Sequence, residues 1–399
     1  MKFLLFLLVH LYYEIESLFF KLIPAKKEKS ILFIKIDAIG DFVIWMDVAE
    51  SLKKSNPDYK ISVIVSKTCK ELAEKTNYFD EVISIDKDKW LYNFIYRFKF
   101  INKLTNRKFE KILNPIFSRD FFYQDQLIRV LKSNSKIGYF SDYSNNINIL
   151  KGFTKNGDLI VLINKRLFKK GNSFYNYLVQ PNSNLTMEKS RNAHFFRETL
   201  NPMFLSHIPI LPFSLPELSS FSNLIEKQYI ILFIGASTNR KVWPFQKYIQ
   251  LIKYLSNETI IVSGGKGEEY LWEKIINEDH ENDCKNVLNF IGKTELIQLF
   301  SLIKNAKWII TNDTSASHIC VVTQTPSVCI LGGAHYGRFH PYFIEKESPN
   351  DQLPRIANYK MDCYNCNLNC KFIKNNKNNI WPCIENIEMS QIIEFVNTL

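Results

Sequence analysis

The residues in this sequence best suited to chemistry follow short apolar runs. Asn312-Asp313-Thr314-Ser315 comes directly after Trp308-Ile309-Ile310-Thr311 and precedes a helical pattern that carries His318. Small polar residues at a helix start cap it and leave its first N–H groups free for an anion. Gly40-Asp41 repeats the arrangement between a strand pattern, Ser30 to Ile36, and a helical one, Phe42 to Lys54. Gly40 allows close backbone approach, and Asp41 puts a carboxylate at the helix start, where it either caps the helix or serves as a base. Near the C-terminus, Cys363, Cys366 and Cys370 keep C-x2-C-x3-C spacing, and Cys383 follows. Four thiols so placed suit a tetrahedral zinc ion, structural because four thiolates leave no open position; buried reduced cysteines are the alternative.

The 399 residues are enough for two domains with full cores, and 46% hydrophobic and 14% aromatic content describes a globular chain. A net charge of +11 favours an anionic partner: a nucleotide, a nucleic acid or an anionic membrane. Lysines and arginines are dispersed without a basic block interleaved with aromatics, which sets nucleic acid aside. Cys69, Cys284, Cys320 and Cys329 are scattered, as expected in a reducing cytosol. In the first 29 residues, the uninterrupted apolar run Phe3 to Val9 is too short to span a bilayer. Leu4, Leu8, Leu11, Ile15, Leu18 and Leu22 instead keep helical spacing, and Lys26, Lys27 and Lys29 follow Pro24. This is the pattern of a helix lying on an anionic leaflet, or of one packed on the protein's own surface.

These residues must be positioned by alternating strands and helices. Strands are expected at Tyr59 to Val65, Glu81 to Ile85 and Lys111 to Asn114, with helices at Lys67 to Thr76 and Trp90 to Asn106. Residues 133–215 are less periodic, apart from a helix at Arg191 to Leu200, and Pro202, Pro209, Pro212 and Pro216 read as a linker. The alternation restarts at Tyr229, passes a Gly-rich turn at Gly264-Gly265-Lys266-Gly267, and ends in the strand Ser327 to Leu331. The reading is an α/β chain with parallel sheets. Residues 30–215 and 216–385 form two doubly wound domains, with ligands at the C-terminal ends of their strands and a closing helix at 386–399.

Four stretches, IKIDAIGD, GASTNRKVWP, VSGGKGEE and NDTSASH with its following TPSVCILGG, resemble glycosyltransferase family 9, the heptosyltransferase-like enzymes. They keep the family's order and span about Ile31 to Tyr342. The resemblance implies a GT-B fold whose Rossmann-like domains face a cleft. It also implies inverting transfer of a sugar, heptose or a related one, from a nucleotide-sugar donor without a catalytic metal or other cofactor. Asp41 matches the catalytic base; Asp37 is a nearby alternative. Lys241 matches the residue on the donor diphosphate, Asp313, Thr314, Ser315 and His318 the rest of that site, and Glu268 a contact to the nucleoside. Each also has an ordinary structural reading, as a solvated lysine, a cap or a buried histidine. Relatives often carry Gly in place of Ser315, so the backbone approach to the diphosphate differs here. The implied acceptor is a lipid-linked saccharide of lipopolysaccharide or another surface glycan. The implied location is the cytoplasmic face of the bacterial inner membrane, as a peripheral protein. A non-catalytic nucleotide-sugar-binding scaffold is the rival reading. A sugar-nucleotide epimerase would need a second acid/base carboxylate, and none stands out.

Overall fold

The computed structural model describes residues 2–140, 143–217, 228–372 and 379–398. The chain divides between Ser206 and His207 into two compact units, nine residues before the boundary placed in the proline-rich linker.

In the first unit, β1 (Lys26–Lys35), β2 (Lys60–Ser66), β3 (Glu81–Ile85), β4 (Arg107–Asn114), β5 (Lys132–Tyr139) and β6 (Tyr177–Val179) form one sheet. Its order is β3-β2-β1-β4-β5-β6 and every pairing is parallel. A parallel sheet covered by helices on both faces needs continuous apolar runs, and Ile31 to Ile34 are all buried. The second unit repeats the design with β7 (Tyr229–Phe233), β8 (Thr259–Ser263), β9 (Leu288–Asn289), β10 (Ile309–Asn312), β11 (Ser327–Ile330) and β12 (Arg355–Ala357). Its order is β12-β11-β10-β7-β8-β9, again fully parallel. Strand order reverses between β1 and β4 and between β7 and β10, the switch points at which such sheets bind ligands.

Several expectations are revised. β1 begins at Lys26, so Lys26, Lys27 and Lys29 are strand residues rather than a basic tail behind the first helix. The helix expected over Trp90 to Asn106 is broken into Lys87–Trp90 and Phe94–Thr105, because the Asn93 side chain accepts from the Tyr96 N–H and starts a new helix. The weakly periodic middle holds β5, β6 and the helices Ser144–Phe153, Gly157–Asn172 and Glu188–Thr199. Their Asn and Lys residues hid an ordinary alternation. The C-terminal segment forms two short helices, Pro382–Glu385 and Met389–Val396. Ile384, Ile387, Ile392 and Phe395 join the core of the second unit, with the Phe395 ring edge-on to Trp308.

The N-terminal helix Lys2–Leu22 packs on the first unit through Phe6, Val9, Tyr13 and Phe20, which are buried on one face. On that side Glu16 and Arg97 form a fully buried ion pair, with N–O distances of 2.7 and 2.9 Å from the Arg97 Nε. The guanidinium lies between the Tyr13 and Trp90 rings, 3.8 and 4.2 Å from their centroids. Removing one member strands the other charge in a dry site. Arg97→Met is therefore expected to cost about 3 kcal/mol of first-unit stability. Arg129→Met, whose partner Glu14 is partly exposed, should cost less than about 1 kcal/mol. Urea unfolding of the two variants checks the difference.

Candidate functional site

In the first unit, Asp37, Ala38 and the helix Ile39–Ser55 follow the C-terminal end of β1. Ala38 is the N-cap, so Asp41 does not cap this helix. It lies in the first turn, where the helix dipole favours a carboxylate. Lys35, fully buried at the strand end, donates to Asp37 Oδ2 at 2.6 Å. Burial alone would discharge this ammonium; the charges of Asp37 and Asp41, with Glu188 behind them, outweigh it and hold its pKa above the usual value. Asp37 is thus committed to Lys35, and Asp41 shares the same positive field. A second buried pair, Lys189 to Asp47 at 2.7 Å, ties the helix Glu188–Thr199 to the one carrying Asp41. Glu188 belongs to this group, and no local pattern marked it because it sits in the polar middle.

In the second unit, the expected residues collect around the ends of β7, β8 and β10. Asn312 closes β10, and its side-chain amide donates to the Ile234 and Gly235 carbonyls at 3.1 and 3.0 Å and to the Tyr248 hydroxyl at 3.0 Å. This fixes the crevice between β7 and β10. Thr314 caps the helix Ser315–Thr323, accepting from the Ala316 N–H at 3.3 Å. Ser315 is the first helical residue, so its N–H is among those without an intrahelical partner. Lys241, at the end of a short 3-10 turn, donates to Asp313 Oδ2 at 2.9 Å, and both side chains are about nine-tenths buried. Burial pushes the Asp313 pKa up, but Lys241 and His340 reverse the effect and keep it low. Lys241, Asp313, Thr314, Ser315 and His318 therefore converge at one strand switch.

Glu268 lies at the neighbouring strand end. It precedes the helix Glu269–Glu278, and its Oε2 accepts from the Gly265 N–H at 2.8 Å. A Cβ on Gly235 or Gly264 would come within 2.2 or 2.4 Å of this carboxylate. Both glycines are therefore needed for Glu268 to rest against the ends of β7 and β8. Burial raises its pKa.

His318 is buried, with Nδ1 2.7 Å from the Tyr342 hydroxyl and its ring stacked on His340 at a centroid distance of 4.8 Å. His340 Nε2 lies 2.8 Å from Ser317 Oγ, while its Nδ1 has no hydrogen-bond partner among the described residues. Asp313, His318 and His340 bring their ligand atoms within 4.8 Å of one another. His340 and Tyr342 were not singled out from the sequence, although they end the same motif, in Phe339-His340-Pro341-Tyr342. Burial drives the His340 pKa down to about 4, with Asp313 opposing and Lys241 adding to the fall. Burial and the His340 ring lower His318 as well.

The four C-terminal cysteines line one pocket with Met361, Phe372 and Trp381. Burial raises the Cys366 and Cys383 thiols, and the neighbouring cysteines push the same way. The pocket abuts the loop after β11: the Asn365 N–H donates to the Gly333 carbonyl at 2.7 Å, and the Asn367 N–H to that of Ala334 at 3.1 Å. Tyr364 covers Gly333 so closely that a Cβ there would lie 2.1 Å from its ring.

The histidine pair has a pH consequence. The folded state keeps both rings neutral, whereas an unfolded histidine protonates near pH 6.5. The unfolded state thus binds more protons in acid, and second-unit stability should fall as pH drops from about 6.5 towards 4. His340→Gln should flatten that slope, as read by urea unfolding across the range.

Comparison with known proteins identifies the family and the fold. The family model Glycosyltransferase family 9 (heptosyltransferase) matches residues 97–367, well over half of the chain. Lipopolysaccharide heptosyltransferase 2 of Salmonella typhimurium is 30% identical over 120 residues. That stretch is 29% of this chain and 34% of the relative, so the chain matches about a third of the relative's length. Among solved structures, ADP-heptose lps heptosyltransferase II of E. coli superposes with a TM-score of 0.64 at 16% identity, over 92% of this chain and 98% of the other. The dodecameric iron-containing heptosyltransferase TibC of enterotoxigenic E. coli, solved with ADP-D-beta-D-heptose, matches with a TM-score of 0.50 at 14% identity, over 94% and 78%. These likenesses establish the α/β fold as GT-B, and the sequence match settles the lineage: the chain belongs to glycosyltransferase family 9, the heptosyltransferase family.

Proposed function

We propose that this protein is an inverting glycosyltransferase. It moves heptose or a related sugar from a nucleoside diphosphate donor to a saccharide of lipopolysaccharide or another surface glycan. The observation that carries the reading is the Lys241–Asp313 pair at the Thr314-capped helix start, at a strand switch of a family 9 chain. A relative and two structural neighbours are named for heptose transfer, and one was solved with ADP-heptose.

The chemistry follows from the groups present. Asp41 takes the proton of the acceptor hydroxyl, and the oxygen attacks the anomeric carbon from the face opposite the diphosphate. The bond from that carbon to the phosphate oxygen breaks as the new glycosidic bond forms, which inverts the configuration. Negative charge builds on the departing diphosphate. Lys241 and the N–H of Ser315 face that charge, and a buried ammonium already held by Asp313 needs little rearrangement to meet it. His318, neutral and oriented by Tyr342, offers a hydrogen bond to phosphate or sugar. Glu268, fixed on Gly265, accepts from the nucleoside.

We also propose that Cys363, Cys366, Cys370 and Cys383 hold one structural metal ion, zinc or iron. Four thiols line one largely apolar pocket, thiolate ligands suit either metal, and a nearby cation would favour the thiolate forms that burial disfavours at Cys366 and Cys383. TibC, whose fold is similar, is an iron-containing enzyme. When bound, the ion would cross-link the segment that braces Gly333 and Ala334.

Three measurements check these proposals. A panel of nucleoside diphosphates should raise the melting temperature for one nucleotide without added Mg²⁺. Lys241→Ala should weaken that binding by about tenfold or more, the cost of a lost charge-assisted contact; no response to any nucleotide would overturn the donor site. Asp41→Asn should lower turnover by about 10²-fold or more while leaving nucleotide affinity intact. A scaffold would show no turnover to lose. Elemental analysis should find about one zinc or iron per chain, and Cys366→Ser with Cys370→Ser should abolish it.

A further inference from the structure

We propose that the outward face of the N-terminal helix, continued by Ile95 and Phe98 of the helix Phe94–Thr105, is a docking surface for an anionic lipid leaflet. It goes beyond the transferase reading and does not depend on it. Helical spacing already singled out the stripe Leu8, Leu11, Ile15, Leu18 and Leu22. The structure packs the opposite face and leaves these residues 53, 56, 58, 63 and 84% exposed. Leu4, which starts the stripe, has a side chain outside the described part. The neighbouring helix extends the patch: Phe98 lies 5.5 and 5.0 Å from the Phe19 and Phe20 rings, and Ile95 is 69% exposed. So large an apolar surface is a liability for a protein dissolved in water and marks an interaction site.

The two carboxylates that interrupt the helix in sequence do not face outward unpaired. Glu16 is buried against Arg97. Glu14 is held by Arg129, and by Lys170 at 2.6 Å. With both acids neutralised by the protein itself, the outward stripe is free of negative charge, and exposed Lys21, Lys99 and Lys103 flank it. The helix Phe94–Thr105 contains no acidic residue. An apolar stripe edged by cations complements acyl chains beneath anionic headgroups. A second copy of the same face would instead bring these lysines against one another. No helix among the described residues is long and apolar enough to cross a membrane, so the 21-residue helix would lie in the plane of the leaflet.

The test is co-sedimentation of the full chain with sucrose-loaded vesicles, either phosphatidylethanolamine with phosphatidylglycerol or phosphatidylcholine alone. The protein should pellet with the anionic vesicles. Leu11→Glu/Ile15→Glu/Leu18→Glu should reduce that binding by about tenfold or more, and Lys99→Glu and Lys103→Glu by about fivefold each. All three side-chain positions of the triple variant are exposed, so its nucleotide-induced melting shift should match wild type. This separates loss of docking from loss of the donor site. Absence of vesicle binding, equal binding to phosphatidylcholine, or unchanged binding by the triple variant would overturn the proposal. So would light scattering showing a dimer that the triple variant disperses.

Discussion

Reversal of strand order in a parallel sheet is the constraint from which the rest of this molecule follows. Crossovers on the two sides of β1 and β4, and of β7 and β10, run in opposite directions. No connection covers the carboxyl ends of the strands at those points. Each opening exposes helix N-termini and strand-end carbonyls, which must be satisfied by side chains or ligands. Asn312 shows the cost of holding such a gap open: one side-chain amide serves two carbonyls and a tyrosine hydroxyl across it. Thr314, Asp313 and Lys241 then have a fixed frame on which to assemble.

A second theme is that four buried charges are each matched by an opposite charge within 3 Å. Lys35 with Asp37, Lys189 with Asp47, Arg97 with Glu16 and Lys241 with Asp313 are all largely withdrawn from water. Pairs of this kind add little net stability but penalise any arrangement that separates them. Two of them tie down the turn and helix that carry Asp41. The Lys241 pair differs in kind, because it lies beside a helix start, where under the proposed function a phosphate would replace the carboxylate as partner.

Much of this was legible in the sequence wherever apolar periodicity and turn chemistry agreed. The runs that became β1, β7 and β10 each end in small polar or glycine residues, so both the strands and the sites at their ends could be read together. The resemblance to a known family assigned Lys241 and Glu268, which no local pattern would distinguish from solvated charges. Residues 133–215 failed because β6 is only three residues long and Asn and Lys interrupt the apolar positions of the helices around it, which blurs the period. Glu188 was hidden there. His340 escaped because its role arises from stacking on a histidine twenty-two residues earlier in the chain, a contact made only once β11 and its loop are in place.

The three residues joining the first helix to β1 carry a practical lesson. Only Ile23, Pro24 and Ala25 separate an apolar helix from the central strand of the first sheet. A hydrophobic leader of this kind invites removal to improve handling. Here truncation would uncover the cavity filled by Phe6, Val9, Tyr13 and Phe20 and orphan the Arg97 guanidinium. The segment is a wall of the first unit, and on the proposed docking it would be an anchor as well. A more tractable version of the protein is better made by recolouring the helix's outer surface, residue by residue, than by cutting it away.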